Sequence, residues 1–188
     1  MTPRTIVLLG KSGSGKDTQA KLVAEKLQPF LYISTGDLGR ALMKSPTAFG
    51  HKVKETLEKG GIFPDWLASY LWEKDLAERL QGEENIVFPS SPRKIGEAEK
   101  IDTVLEWLGR RAAEAVLIDI SDDEAVKRLL GRGRADDTEE NIRERLSWFE
   151  PEVSPTIRYY EERGRLYRID GVGTVKEIFN RIKEVLKL

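Results

Sequence analysis

Ile6 to Leu9 is an aliphatic run that no polar residue interrupts, and it stops at Gly10. A short continuous apolar run closed by a glycine-rich turn predicts a buried strand. Apolar residues then recur at Ala20, Val23 and Leu27, with Leu22 beside them, which predicts a helix from Lys16 to Leu27. Leu31 to Ile33, Ile86 to Phe88 and Ala115 to Ile120 repeat the strand pattern, and Leu166 to Ile169 repeats it more weakly. Helical periodicity occupies Leu38 to Leu80, interrupted at Ser45-Pro46 and from Gly60-Gly61 to Pro64. It returns over Ile95 to Leu108, Asp123 to Leu130, Thr138 to Arg163 and Val175 to Leu186. Strands alternating with helices imply a parallel sheet covered on both faces. The expected architecture is one α/β domain over residues 1–188, built on a five-stranded parallel sheet with helices on both faces.

Composition narrows the classes without naming one. With 188 residues, 39% hydrophobic and 34% charged, the chain has enough apolar surface for a single core and is not disordered. Lys and Arg (31) nearly balance Asp and Glu (32), so net charge suggests neither nucleic acid nor a membrane surface as a partner. The chain has no cysteine, which excludes disulfides and cysteine-ligated zinc and fits a cytoplasmic protein. "MTPRTIVLLG" lacks the build of a signal peptide, and no stretch approaches the roughly 18 apolar residues of a membrane span. There is no internal repeat and no low-complexity segment.

The chemistry begins at "GKSGSGKDTQ", Gly10 to Gln19, which lies between the first strand and the first helix. A phosphate-binding loop places Gly, four residues, Gly-Lys and then Ser or Thr in that setting. Gly10, Gly15 and Lys16 fit, but Asp17 takes the hydroxyl position and Thr18 comes one place late. Backbone N–H groups from Gly13, Ser14, Gly15, Lys16, Asp17 and Thr18 are placed to cradle phosphate oxygens at a helix N-terminus, with Lys16 adding a point charge. In such sheets ligands bind beyond the carboxyl ends of the strands, where this loop sits.

"ISTGDLGR", "SPRKIGEAE", "RLLGRGRADDTEENIRERL" and "YYEERGRLYRIDG" follow in that order. Together with "GSGKDTQ" they resemble the adenylate kinases, over almost the whole chain. That family has glycine after the loop lysine and threonine one later, so the displaced Thr18 matches it. The resemblance implies a P-loop nucleoside monophosphate kinase fold with a helical acceptor-binding insertion at about 34–64. It implies transfer of a phosphoryl group from ATP to AMP, with Mg²⁺ accompanying ATP. Lys16, Arg93, Arg132, Arg134 and Arg145 are the implied catalytic residues. ATP is expected at the loop residues together with Arg128, Arg132 and Gly173. Arg128 matches an arginine that packs on the adenine, as a guanidinium plane does. AMP is expected at Thr35, Gly36, Arg40, Gly61, Ile62, Phe63, Ser91, Arg93, Glu97, Arg134 and Arg145, with Arg40 and Arg93 on its phosphate. Asp136 and Asp137 are read as orienting the arginines. His51 lies on a solvated helix and receives no role.

The sequence departs from the family pattern in several places. Where the family has the Asp of Asp-Gly-Phe-Pro-Arg, which holds waters around Mg²⁺, "FPSSPR" has Pro89, which offers no ligand. Asp37 of "STGD" keeps the family's other carboxylate, and Asp17 projects a new one towards the same ion. Asp17 and Asp37 are therefore the candidate metal ligands. The family's adenine-reading glutamine is Glu97 here, and a carboxylate only accepts where an amide also donates. That change leans the polar readout towards guanine, while Thr35 and "GGIFPD" keep AMP the favoured acceptor. The lid, about 131–137, shrinks to a single glycine between Arg132 and Arg134. Two other readings stay open: a kinase for GMP or a pyrimidine monophosphate, and a nucleotide-binding sensor without turnover. The expected partners are ATP and a nucleoside monophosphate, in a monomer or small homo-oligomer.

Overall fold

The structure, a computed structural model, describes residues 2–59, 61–133 and 138–188. Strand β1 (Thr5–Leu9) is buried at every position, which is why Ile6 to Leu9 reads as unbroken apolar sequence instead of alternating. Among the described residues it is the central strand of a five-stranded parallel sheet ordered β2–β3–β1–β4–β5. The others are β2 (Phe30–Tyr32), β3 (Asn85–Phe88), β4 (Glu114–Asp119) and β5 (Leu166–Asp170). Val7 lies level with Phe88 on one side and Ala115 on the other. The expected sheet is thus the observed one.

Two apolar layers cover it. On one face α1 (Lys16–Lys26) and α9 (Val175–Leu186) bring Ala20, Val23, Ile178 and Ile182 onto Ile6, Leu8, Val116 and Ile118. Helix α9 begins in a capping box, with Thr174 and Glu177 each bonding the other's backbone N–H. The opposite face carries α4 (Asp65–Arg79), α5 (Ile95–Trp107) and α8 (Ser154–Glu162). Trp72, Ile101, Leu105, Ile157 and Tyr160 pack there on Val7, Leu9, Phe88 and Leu117.

A smaller third cluster of Val53, Phe63, Leu67, Ala68 and Leu71 supports α2 (Thr35–Leu42) and α3 (Ala48–Glu58). Both helices start at hydroxyl caps: Ser34 accepts from the Asp37 N–H and Thr47 from the Gly50 N–H. The breaks expected near Ser45-Pro46 and before Pro64 separate α2, α3 and α4.

Helix α6 (Asp122–Arg132) leads to Gly133, whose φ of 68° is the left-handed conformation that ends helices. The single helix expected from Thr138 to Arg163 is instead α7 (Glu139–Ser147), one π-helical turn (Phe149–Val153) and α8. The reason is proline. Pro151 has no N–H for the Ser147 carbonyl and Pro155 none for that of Pro151, so the ladder widens by a residue. Among the described residues, no helix is long and apolar enough to cross a membrane.

Candidate active site

The carboxyl end of β1 feeds the turn from Gly10 to Gly15, and α1 starts immediately after it. Gly10 adopts φ 145° and Gly13 φ 85°. A side chain at Gly10 would meet the Ile118 carbonyl oxygen at 2.6 Å, and one at Gly13 the Ala125 carbonyl oxygen at 2.9 Å. Glycine is therefore required twice, for conformation and for closeness to β4 and α6. A helix starting this way leaves its first N–H groups without intrahelical acceptors and presents the positive end of its dipole. Lys16, half-buried there, donates from Nζ to the Lys11 carbonyl at 3.1 Å. Burial lowers its pKa to about 8, helped by the charges of Arg93 and Arg132 and opposed by Asp17.

A cleft of about 390 Å³ opens over this loop. Gly13, Gly15, Lys16, Asp17 and Thr18 form one wall. Gly36 and Arg40 of α2, with Gly61, Ile62 and Arg93, form another, and Arg128, Arg132 and Arg145 close it. Several of these cations are held in place. Arg128 donates to Glu124 Oε1 at 2.6 Å and to the Gly171 carbonyl at 2.9 Å. Arg40 donates to Asp37 Oδ1 at 2.5 Å, and Arg93 Nε to the Ser90 carbonyl at 3.3 Å. Fixed cations converging on a helix N-terminus suit polyphosphate chemistry, where charge has to be stabilised without rearrangement.

A second pocket of about 70 Å³ adjoins the cleft behind Arg40 and Arg93, lined also by Thr35, Gly36, Gly61, Ile62, Phe63, Ser91 and Glu97. The Thr35 and Ser91 hydroxyls share a hydrogen bond of 2.6 Å. Glu97, on the first turn of α5, is only 2% exposed. Its Oε2 accepts from the Arg93 N–H at 2.9 Å, while its buried Oε1 has no partner among the described residues. Burial raises the Glu97 pKa above the usual carboxylate value, with the Arg93 N–H and charge pulling the other way.

Residues 8–165 match the profile of a family described as adenylate kinase. This chain belongs to the adenylate kinase family. It is 37% identical over 187 residues to an adenylate kinase of Thermus thermophilus, with 97% of each chain covered. It is 37% identical over 181 residues to adenylate kinase 1 of a Nostoc species, covering 96% of this chain and 97% of that one. An adenylate kinase of Xanthomonas campestris is 35% identical over 185 residues, with 96% and 98% covered.

Not every residue singled out in this adenylate kinase family member faces the cleft. Ser14 is fully buried beneath Gly10 and lies outside the cleft walls. Gly173 is exposed in the turn before α9, also off the walls. Asp37 is exposed and closed against Arg40. Burial alone would raise its carboxyl, but hydrogen bonds from Arg40 and Ser34 outweigh that and hold it low. Arg134, Asp136 and Asp137, with the lid beyond Gly133, lie outside the described residues. Sequence reasoning missed Trp148, Phe149 and Val153, which line the cleft from the π-helical turn and its approach. The signal was two adjacent aromatics just before Pro151, inside a stretch read as ordinary helix.

Proposed function

We propose that this chain transfers the γ-phosphoryl group of ATP to AMP, giving two ADP. The observation that carries this reading is the arrangement of the cations: Lys16, Arg40, Arg93, Arg128, Arg132 and Arg145 line one cleft, and a small pocket opens beside Arg40 and Arg93. A polyphosphate on the loop and a monophosphate reaching from the pocket would meet among these charges. Transfer forms a bond between an AMP phosphate oxygen and the γ-phosphorus and breaks the bond from that phosphorus to the β,γ-bridging oxygen. Charge spreads over the equatorial oxygens as this happens. Lys16 and the α1 N-terminus hold the donor, Arg128 stacks on its adenine, and Arg40 and Arg93 hold the acceptor phosphate. Arg132 and Arg145 stand between, with Arg134 the third member by family pattern. The segment 34–64 serves as the acceptor arm, and the short segment 131–137 replaces a lid.

Mg²⁺ is the metal expected with ATP. It is held by one or two carboxylates with substrate phosphates and waters, so it needs no dedicated protein cage. Asp17, exposed on the cleft wall, fits that demand, and Asp37 would supply a second carboxylate if released from Arg40. Among the described residues no group of three or more ligating side chains is gathered, which suits a metal that arrives with its nucleotide. When bound, the ion neutralises charge developing on the phosphoryl oxygens.

A coupled assay of ADP production tests the reading, with ATP and Mg²⁺ against AMP, GMP, CMP, UMP and dTMP in turn. AMP is expected to be the best acceptor. A tenfold preference for GMP would move the acceptor assignment, and no ADP with any of them would leave a nucleotide-binding sensor.

A further inference from the structure

Among the described residues Glu97 is the one carboxyl group lining the small pocket, and its two oxygens are in different situations. Oε2 already accepts the Arg93 N–H, whereas Oε1 is buried and without a partner among the described residues, in a side chain that lines the pocket. A guanine presenting N1–H and an N2 amino group would bond both oxygens of a carboxylate; here Oε2 would have to share its acceptor capacity with the Arg93 N–H. Adenine presents an acceptor at N1, which an ionised Oε1 would repel. A neutral carboxyl resolves both: Oε2, as the carbonyl, keeps the Arg93 N–H, and Oε1 holds the proton. We propose that Glu97 selects the acceptor base as a carboxylic acid, donating its Oε1–H to N1 of AMP. This rests on the small pocket being the acceptor site.

The surroundings bear on which form Glu97 takes. From the loop before α5, Arg93 favours the ionised form and Lys94 lies next in sequence, paired with Asp65 and Glu152. Asp65 of α4 favours the neutral form, Tyr160 of α8 brings a buried phenol, and Arg40 of α2 shares the pocket wall. Burial outweighs Arg93, so the proton is held above the usual carboxylate range. The sign follows. A raised carboxyl pKa keeps the acid neutral at low pH and ionises it as pH rises through the shifted value. The contribution of Glu97 to AMP affinity therefore falls as pH rises, while ATP affinity does not follow Glu97.

Calorimetric titration of AMP across about pH 5.5 to 9.5 tests this in the wild type and in Glu97→Gln, whose amide donates at every pH. Phosphate ionisation affects both proteins alike, so the ratio of their dissociation constants isolates Glu97. That ratio is expected to rise by up to about tenfold per pH unit above the Glu97 midpoint. In case the variant fails to fold, 1-deaza-AMP, with C–H in place of N1, is titrated into the wild type. It is expected to bind about tenfold or more weakly at low pH, as loss of a buried hydrogen bond implies, and to keep only the pH dependence of its phosphate. A flat ratio, 1-deaza-AMP binding as tightly as AMP at low pH, or GMP binding that tightens with pH in the wild type more than in Glu97→Gln would each overturn the proposal. A flat ratio with AMP still phosphorylated would sink this inference alone. pH-gated AMP binding with no ADP formed would sink the kinase reading alone.

Discussion

The two walls of the cleft are built differently. The wall at Lys16 is mainly backbone, suspended between a fully buried strand and the helix that follows, with glycines pressed against Ile118 and Ala125. The wall at Arg40 and the small pocket behind it consist of side chains: Glu97 sits on α5, which packs on the sheet, and α2 rests mainly on the separate cluster around Phe63, touching the main core through Leu38. One wall takes its position from the main core alone, the other from the main core and a small packing of its own. Damage to the first should abolish chemistry whatever the acceptor. Damage to the second should weaken one substrate and spare the other.

Lys16→Met is the most severe test of the backbone wall. Removing a charge placed at the transferring phosphates is expected to lower turnover by about 10²–10³ or more, with thermal unfolding unchanged. Near-wild-type turnover would mean the loop is not the donor site. On the side-chain wall, Arg40→Ala and Arg93→Ala are each expected to raise KM for AMP by about 10- to 100-fold, as loss of a charge-assisted hydrogen bond implies. KM for ATP should barely move, and equal effects on both substrates would erase the distinction between the walls.

Gly39→Ala probes the small cluster directly, because the added methyl would run into the Phe63 ring. Overpacking of this kind costs about 1–3 kcal/mol. A lower melting temperature and weaker AMP binding, with ATP affinity retained, would support separate anchoring; weakened ATP binding would oppose it. The smallest effect is expected at Asp17→Gly, which removes the carboxylate proposed for Mg²⁺. The Mg²⁺ concentration for half-maximal activity should rise several-fold, and an unchanged requirement would assign Asp17 only to the helix dipole, worth about 0.3–1 kcal/mol.

The backbone wall was also the more legible one. The run from Ile6 to Leu9, the glycines after it and the period of α1 are local patterns, and a buried strand leaves no ambiguity about what it joins. Helix α9 was equally plain, because Ile178, Ile182 and Leu186 share one stripe. The stretch from Thr138 to Arg163 misled because its periodicity survives a one-residue widening of the ladder, and only the two prolines hinted at the break. Glu97 could be located from its motif, but the inequality of its two oxygens depends on the Arg93 N–H and on burial by distant helices. No spacing along the chain encodes that.

The π-helical turn has an optical consequence. The chain has four tryptophans. Trp72 is sealed in the core, and Trp66 and Trp107 face solvent away from the cleft. Trp148, at the approach to the widened turn, is half-buried on the cleft wall, with its indole N–H bonded to Glu144 at 2.9 Å. Of these four fluorophores Trp148 is the one that lines the cleft, so a nucleotide filling it is expected to shift intrinsic emission, without a dye or a coupled enzyme.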